Sequence, residues 1–244
     1  AATPTPLPPP APAATMTAPP EPTAPVTDGA TAESPATTPA TTPLFDVDPT
    51  DRSIFATGLT TAEQVTLDAL PGAPVYHMDF TLDESLSAIS GRLTLTYTNV
   101  EDAALTDLYF HLHAQTLEGG ISVAAVTIDG APVEPMVEGD MLRVPLPGPL
   151  APGGVATVDM TFETAVPTEI GRNYGVLAYY EGILAAAHFY PMLAVYDDEG
   201  WNTAAPDIQG DLTYSDAGFY LVRVTAPADV VLVSAGAIVD QARD

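Results

Sequence analysis

The chain contains no cysteine and no lysine. Without thiols, disulfides, thiolate zinc sites and cysteine nucleophiles are excluded. All 6 basic residues are arginine, against 32 acidic residues, for a formal net charge of −26. Such a balance repels phosphate backbones and anionic lipid, so nucleic acid is not expected as a partner. Cations, basic peptides and neutral ligands remain, and a solvated acidic surface with no specific partner is the simplest reading. Long apolar runs are missing as well. No stretch reaches the roughly 18 apolar residues that a membrane-spanning helix needs, so no transmembrane segment is expected. The chain opens on Ala1 rather than Met, with no signal-peptide pattern, and a leader removed or omitted is the expectation.

What is abundant is unevenly placed. Of the 26 prolines, many crowd the start, and Pro, Thr and Ala fill 35 of the first 43 positions. That segment has no aromatic residue, and only Glu21, Asp28 and Glu33 carry charge. Proline removes a backbone donor, and Ala and Thr bury little area, so ordering would not be repaid. Residues 1–43 therefore read as a disordered Pro/Thr/Ala-rich tether, an extended spacer of a kind that is sometimes glycosylated. Residues 44–74 read as transitional. A short helix is expected over residues 60–70, capped by Thr60 or Thr61, with Val65, Leu67 and Leu70 apolar and Pro71-Gly72 ending it.

From Val75 the apolar period becomes two. Tyr76, Met78, Phe80 and Leu82 alternate with His77, Asp79 and Thr81, and Asp83-Glu84-Ser85 suits a turn. Ile89, Gly91, Leu93, Leu95 and Tyr97 then share one face. Leu108, Phe110 and Leu112 make the next inward row, and residues 121–128 end in the turn dipeptide Asp129-Gly130. Further strands are expected over residues 141–146, around Val158, Met160 and Phe162, and over residues 219–225 and 230–234. Short strands at regular spacing, with Gly, Pro and Asp turns and no internal repeat, predict an all-β domain over residues 75–244. The architecture expected is an antiparallel β-sandwich or a saddle-like pair of sheets, preceded by the disordered tail.

Catalytic signatures are scarce. A zinc hydrolase helix places two imidazoles one turn apart with a glutamate between them. The four histidines, His77, His111, His113 and His188, contain no such motif. His111 and His113 have the i, i+2 spacing that sends two rings to one side of a strand, where a third ligand could complete a metal site. The row Leu108, Phe110, Leu112 already accounts for the inward face, so both histidines are expected on the wetter side, without a metal. Asp197-Asp198-Glu199-Gly200 offers oxygen ligands but lacks the spacing of a calcium loop, and reads as an acidic turn before Trp201. No Gly-x-Ser-x-Gly elbow surrounds Ser234, and no phosphate-cradling glycine loop follows a strand. Residues 174–190 gather Tyr174, Tyr179, Tyr180, Phe189 and Tyr190, with Glu181 and His188 among them. A core strand pair and an interdomain or ligand-facing surface are equally open readings of that stretch.

The order of these segments resembles the N-terminal β-domain of the aminopeptidase N-type zinc metallopeptidases. Tyr76-His77-Met78-Asp79-Phe80-Thr81-Leu82 resembles its opening strand, and Gly91 through Asn99 its second, which ends in Asn. Leu108-Tyr109-Phe110-His111-Leu112 and Ile128-Asp129-Gly130 resemble the next pair. Leu150-Ala151-Pro152-Gly153 before Val158-Asp159-Met160-Thr161-Phe162 resembles the family's L-x-P-G turn and strand. The most specific segment is His188-Phe189-Tyr190-Pro191-Met192-Leu193-Ala194-Val195-Tyr196-Asp197, followed by Gly200-Trp201. Tyr214-Ser215-Asp216, the run Phe219 to Val224, Ala226-Pro227-Ala228-Asp229 and Ala235-Gly236 follow in family order.

The resemblance covers about residues 75–240 and implies a non-catalytic domain that caps and positions a catalytic domain lying beyond this chain. It implies that the zinc site, its His-Glu-x-x-His helix and the Gly-x-Met-Glu-Asn strand belong to that partner in cis, with no cofactor in this chain. Peptides are the implied substrates. In some members a Gln or Glu of the β-domain lines the substrate pocket, and Glu181 is the acidic residue in the corresponding stretch, although no clean motif surrounds it. A secreted or cell-surface location, tethered through the N-terminal tail, is the matching expectation. A stand-alone β-sandwich module for binding or adhesion is the alternative, and a non-peptidase scaffold relative a third.

Overall fold

The period-two alternation that begins at Val75 forms strand β1 (Val75–Leu82), which turns back into β2 (Ala88–Thr98). The computed structural model describes Asp48, residues 51–205 and residues 213–242, all within one compact unit, Thr41–Asp244. The tether expected over residues 1–43 lies outside the described residues. The β1–β2 turn is built by Asp83, whose carboxylate accepts the backbone N–H groups of Ser85, Ser87 and Ala88 at 3.3, 2.8 and 2.7 Å. The Ser85 hydroxyl also donates to it, and together these bonds hold the carboxyl down at about 2.

Strands β3 (Leu105–His111), β4 (Gly120–Ile128), β5 (Ala131–Pro132), β6 (Met136–Glu138), β7 (Met141–Leu150) and β8 (Val155–Ala165) follow. After them come two small hairpins, β9 (Leu177–Tyr180) with β10 (Ile183–Ala186), and β12 (Tyr196–Asp197) with β13 (Gly200–Trp201). The short strand β11 (Met192–Leu193) separates them, and β14 (Phe219–Thr225) closes the series. One sheet has six strands in the order β14-β1-β2-β8-β4-β5, and a second has four in the order β11-β3-β7-β6.

The two sheets share one core. Ile89, Leu93, Leu95 and Val158 from the first sheet and Leu108, Phe110, Leu142 and Val144 from the second are fully buried, in one contiguous apolar cluster. The rows expected to face inward do so. Gly91 sits in the β2 row because nothing larger fits. A Cβ there would lie 2.6 Å from the Phe80 Cβ, 2.8 Å from the Asp79 carbonyl and 2.9 Å from the Phe162 ring. At the end of β2, buried Asn99 binds the chain together. Its Nδ2 donates to the carbonyls of Ala103 and Leu150 at 2.9 and 2.8 Å, and its Oδ1 accepts the Glu101 N–H at 3.0 Å. A buried amide with every group satisfied fixes one arrangement of the segments around it.

The expected all-β pair of largely antiparallel sheets is present, and three local expectations are corrected. The helix of residues 60–70 is reduced to α1 (Thr66–Ala69), with Val65 rather than a threonine at its N-cap and no side-chain cap. Arg52 instead organises this region. Its guanidinium donates to the carbonyls of Leu67, Leu70, Pro71 and Ala73 and lies over the Phe219 ring, 4.9 Å from the centroid. The strand expected over residues 141–146 continues to Leu150 through Pro145, Pro147 and Pro149. Proline is tolerated there because β6 pairs only with Met141 to Arg143, so the far edge needs no donors. Among the described residues, the one exception to the antiparallel pairing is β14, which runs parallel to β1 at the sheet edge. Residues 230–234 form no strand. They follow β14 as exposed chain, with Val231 82% and Val233 93% exposed, since a strand needs a ladder partner and none lies alongside among the described residues.

Candidate functional site: a buried histidine cluster

Strand β3 ends at His111 between two partners, Met141 of β7 and Met192 of β11. The chain then leaves the strand at Leu112, whose N–H donates to the Asp140 carbonyl at 2.6 Å, and the short helix α2 (His113–Thr116) begins. This break brings His113 beside His111. Their rings stack with centroids 4.8 Å apart and planes 5° apart. His188, in the segment joining β10 to β11, meets His113 edge-on at 5.4 Å and 71°. The His188 backbone has φ 56°, a left-handed conformation that histidine adopts more readily than most residues.

The expectation that His111 and His113 face water is overturned. They are only 5% and 1% exposed. Strand β3 is central in its sheet, and the segments carrying His188 and Asn202 cover the face opposite the Leu108, Phe110, Leu112 row. The rule that an apolar row leaves its alternate face wet fails where a later segment folds over that face.

The polar atoms are sparsely partnered. His111 Nε2 lies 3.1 Å from the Asn202 carbonyl, which can only accept, so Nε2 carries the proton. His111 Nδ1 and both ring nitrogens of His113 are buried without a hydrogen-bond partner among the described residues. The His188 ring meets the Thr213 hydroxyl at 3.0 Å. Burial lowers the proton affinity of all three rings. For His113, burial and then its two histidine neighbours bring the value down to about 3, while the Asp140 carboxylate opposes the shift at His111.

Chemically, the cluster is a set of neutral imidazoles. No group of three or more His, Cys, Asp or Glu among the described residues is placed to hold a metal ion. The three rings stack and meet edge-on instead of converging on one point.

The structure does not bring Glu181 into this cluster. It occupies the exposed tip of the β9–β10 hairpin, where Glu181 at φ 50° and Gly182 at φ 81° make the two-residue turn. The surrounding stretch divides between the two readings left open for it. Leu177, Ala178 and Phe189 are buried, whereas Tyr174, Tyr180 and Ile183 are 64%, 45% and 71% exposed. The acidic run from Asp197 is the turn between β12 and β13, with the Glu199 N–H donating to Asp197 Oδ1 at 3.0 Å.

Sequence reasoning missed a second aromatic grouping. Tyr76 stacks on Tyr220 at 4.6 Å and 2°, and its buried hydroxyl accepts the Leu193 N–H at 3.1 Å. Tyr190 meets both rings edge-on. The parallel pairing of β14 with β1 sets Tyr220 beside Tyr76, and nothing local in the sequence announces that register.

No protein-family model and no curated protein matches the chain. Among solved structures, it is similar to the M1 zinc metallopeptidase from Deinococcus radiodurans at 20% identity and a TM-score of 0.46, over 71% of this chain and 37% of that one. A mutant of that enzyme bound to a Tyr-Ser-Ala substrate aligns at 19% identity and a TM-score of 0.47, again over 71% and 37%. Native leukotriene A4 hydrolase from Saccharomyces cerevisiae aligns at 17% identity and a TM-score of 0.30, over 38% of this chain and 14% of that one. The chain thus spans little more than a third of the length of the bacterial enzyme. Among the described residues, no helix is long and apolar enough to cross a membrane.

Proposed function

We propose that this chain is the non-catalytic β-domain of a secreted or surface-tethered zinc metallo-aminopeptidase, and that it caps and positions a catalytic domain supplied in cis. The observation that carries the reading is the apolar run after β14. Val231, Leu232, Val233, Ile238 and Val239 are 82%, 51%, 93%, 74% and 60% exposed. Isolated surface apolar residues are ordinary, but five large ones exposed within nine positions is a concentration that water disfavours and a neighbouring domain would cover. The order of the segments from Tyr76 to Gly236 supports the choice of that neighbour.

In this reading the neighbour contributes zinc, the activated water and the amine-binding groups. Glu181, exposed on its hairpin, is free to reach toward the bound peptide's amino terminus. The Pro/Thr/Ala-rich start serves as the tether to an anchor or export signal.

Hydrogen exchange tests the docking face. Amides of residues 230–239 are expected to exchange rapidly in the 244-residue chain and to gain protection when the chain is produced joined to a catalytic domain. Equal exchange in both, with no hydrophobic-dye binding by the shorter chain, would favour a stand-alone binding module instead.

A further inference from the structure

We propose that His111, His113 and His188 form an acid-sensitive latch, which holds residues 187–193 against the end of β3 while the rings are neutral and releases them when the rings take up protons. The proposal rests on geometry and does not depend on the domain's enzymatic context. The three rings come from three separate elements: the last residue of β3, the first of α2 and the connection from β10 to β11. The contacts among the three histidines are ring on ring. Such contacts are favourable between neutral imidazoles and repulsive between imidazolium ions.

The surroundings supply little to offset a charge. From the β6–β7 turn, the Asp140 carboxylate faces His111, and it already accepts the Thr116 hydroxyl at 3.2 Å. Beyond β13, the Asn202 carbonyl faces His111, and the Thr213 hydroxyl faces His188. The ladder neighbours of His111 on β7 and β11 are Met141 and Met192, which carry no charge. Thus one carboxylate answers three histidines among the described residues. His113, 1% exposed and with neither nitrogen partnered among the described residues, has no described group to receive a second N–H when it becomes a cation. Buried cations of that kind are expelled rather than tolerated.

The direction of the effect follows from linkage. A ring whose proton affinity is lowered by burial is neutral when latched and regains its ordinary value of about 6.5 when exposed. Protons therefore bind the open form in preference, and opening grows as pH falls below about 6.5. For His113 the window extends down to about 3, where the latched ring would itself be protonated. From pH 7.5 to 5.5, freeing the His113 ring multiplies the opening equilibrium by about tenfold, and His111 and His188, whose proton affinities are also lowered by burial, act in the same direction.

Release should be local. Phe189 packs against Phe80 of β1 at 4.7 Å and its carbonyl accepts the Thr164 hydroxyl of β8 at 2.6 Å, and these contacts run through the side chains of β1 and β8, so this segment can detach from β1, β8 and β3 without unzipping the β2–β8 ladder. The test is hydrogen exchange of the 244-residue chain at pH 7.5 and 5.5, corrected for intrinsic amide chemistry. Residues 187–193 should lose protection by at least about tenfold at the lower pH, while β2 and β8 amides keep theirs. His113→Phe removes the most buried proton acceptor and should flatten this pH dependence by about one decade. If that variant does not fold, His188→Gln should flatten it similarly. Imidazole resonances followed by NMR give an independent readout, with His113 staying neutral at pH 5.5 in the latched form. Unchanged protection of residues 187–193, a His113 ring that titrates near its ordinary value, or an equal loss across β1, which would place the uptake at His77, would each overturn the latch.

Discussion

The rings of His111 and His113 lie stacked, 4.8 Å apart and 5° from parallel, under a cover formed by His188 and Asn202. Two imidazoles in this relation are most stable uncharged, and this decides how the domain responds to acid. His113, held neutral by burial down to about 3, removes about 1.4 kcal/mol of stability per pH unit once the pH falls below about 6.5, because the unfolded chain takes up the proton first, and His111 and His188 act in the same direction. Urea midpoints should be flat between pH 7 and 8 and decline steadily from 6.5 to 5. Asp83 adds nothing in that window. Its lowered proton affinity contributes stability that is full above about 4 and lost only as the pH falls toward about 2. A midpoint independent of pH between 7 and 5 would contradict the buried neutral cluster.

Gly91 is expected to resist even the smallest side chain. Gly91→Ala must displace the Phe80 side chain and the Asp79 backbone, the latter part of the β1–β2 ladder. The cost should be about 1–3 kcal/mol, the range of overpacked cores, seen as a lower urea midpoint with an unchanged slope.

Asn99→Ala leaves the carbonyls of Ala103 and Leu150 without their donor. Ala103 is exposed and Leu150 half-buried, so water can partly replace the lost donor, and a loss of about 1 kcal/mol is expected in the same assay. Asn99→Asp should be no better, since a carboxylate cannot donate to a carbonyl.

Arg52→Ala tests a different kind of contact. Its four carbonyl partners lie in residues 67–73 and its ring partner is Phe219, so the side chain ties the segment before β1 to β14. Its loss should lower global stability by only about 1 kcal/mol but speed limited proteolysis between residues 51 and 73. Cleavage at the wild-type rate would show that the segment is held by something else.

The sequence was informative wherever one face of a strand met the core. The apolar residues of the rows from Tyr76 to Leu82, from Ile89 to Tyr97 and from Leu108 to Leu112 are buried as their period-two spacing predicts, although His77 and Thr96 on the alternate face are buried too. Turn dipeptides were equally legible, because Asp129-Gly130 takes φ 50° and 78° as a tight hairpin requires. What escaped prediction depends on long-range cover. His111 reads as solvent-facing until residues 187–202 fold across it, and Tyr220 has no visible partner until β14 joins β1 in parallel. The same limit explains residues 230–234, whose apolar, β-branched sequence reads as a strand although no neighbour completes its ladder among the described residues. Glu181 was located by resemblance alone, and its exposed turn position is decided by Gly182 rather than by any chemistry of the carboxylate.

The most direct test of the account is to compare the 244-residue chain with the same chain joined to the catalytic domain proposed to follow it. Zinc content after dialysis and turnover of a chromogenic aminoacyl amide are measured on both. The account predicts neither zinc nor turnover in the 244-residue chain, and one zinc per chain with turnover in the joined form. Stoichiometric zinc and hydrolysis by the 244-residue chain itself would contradict it.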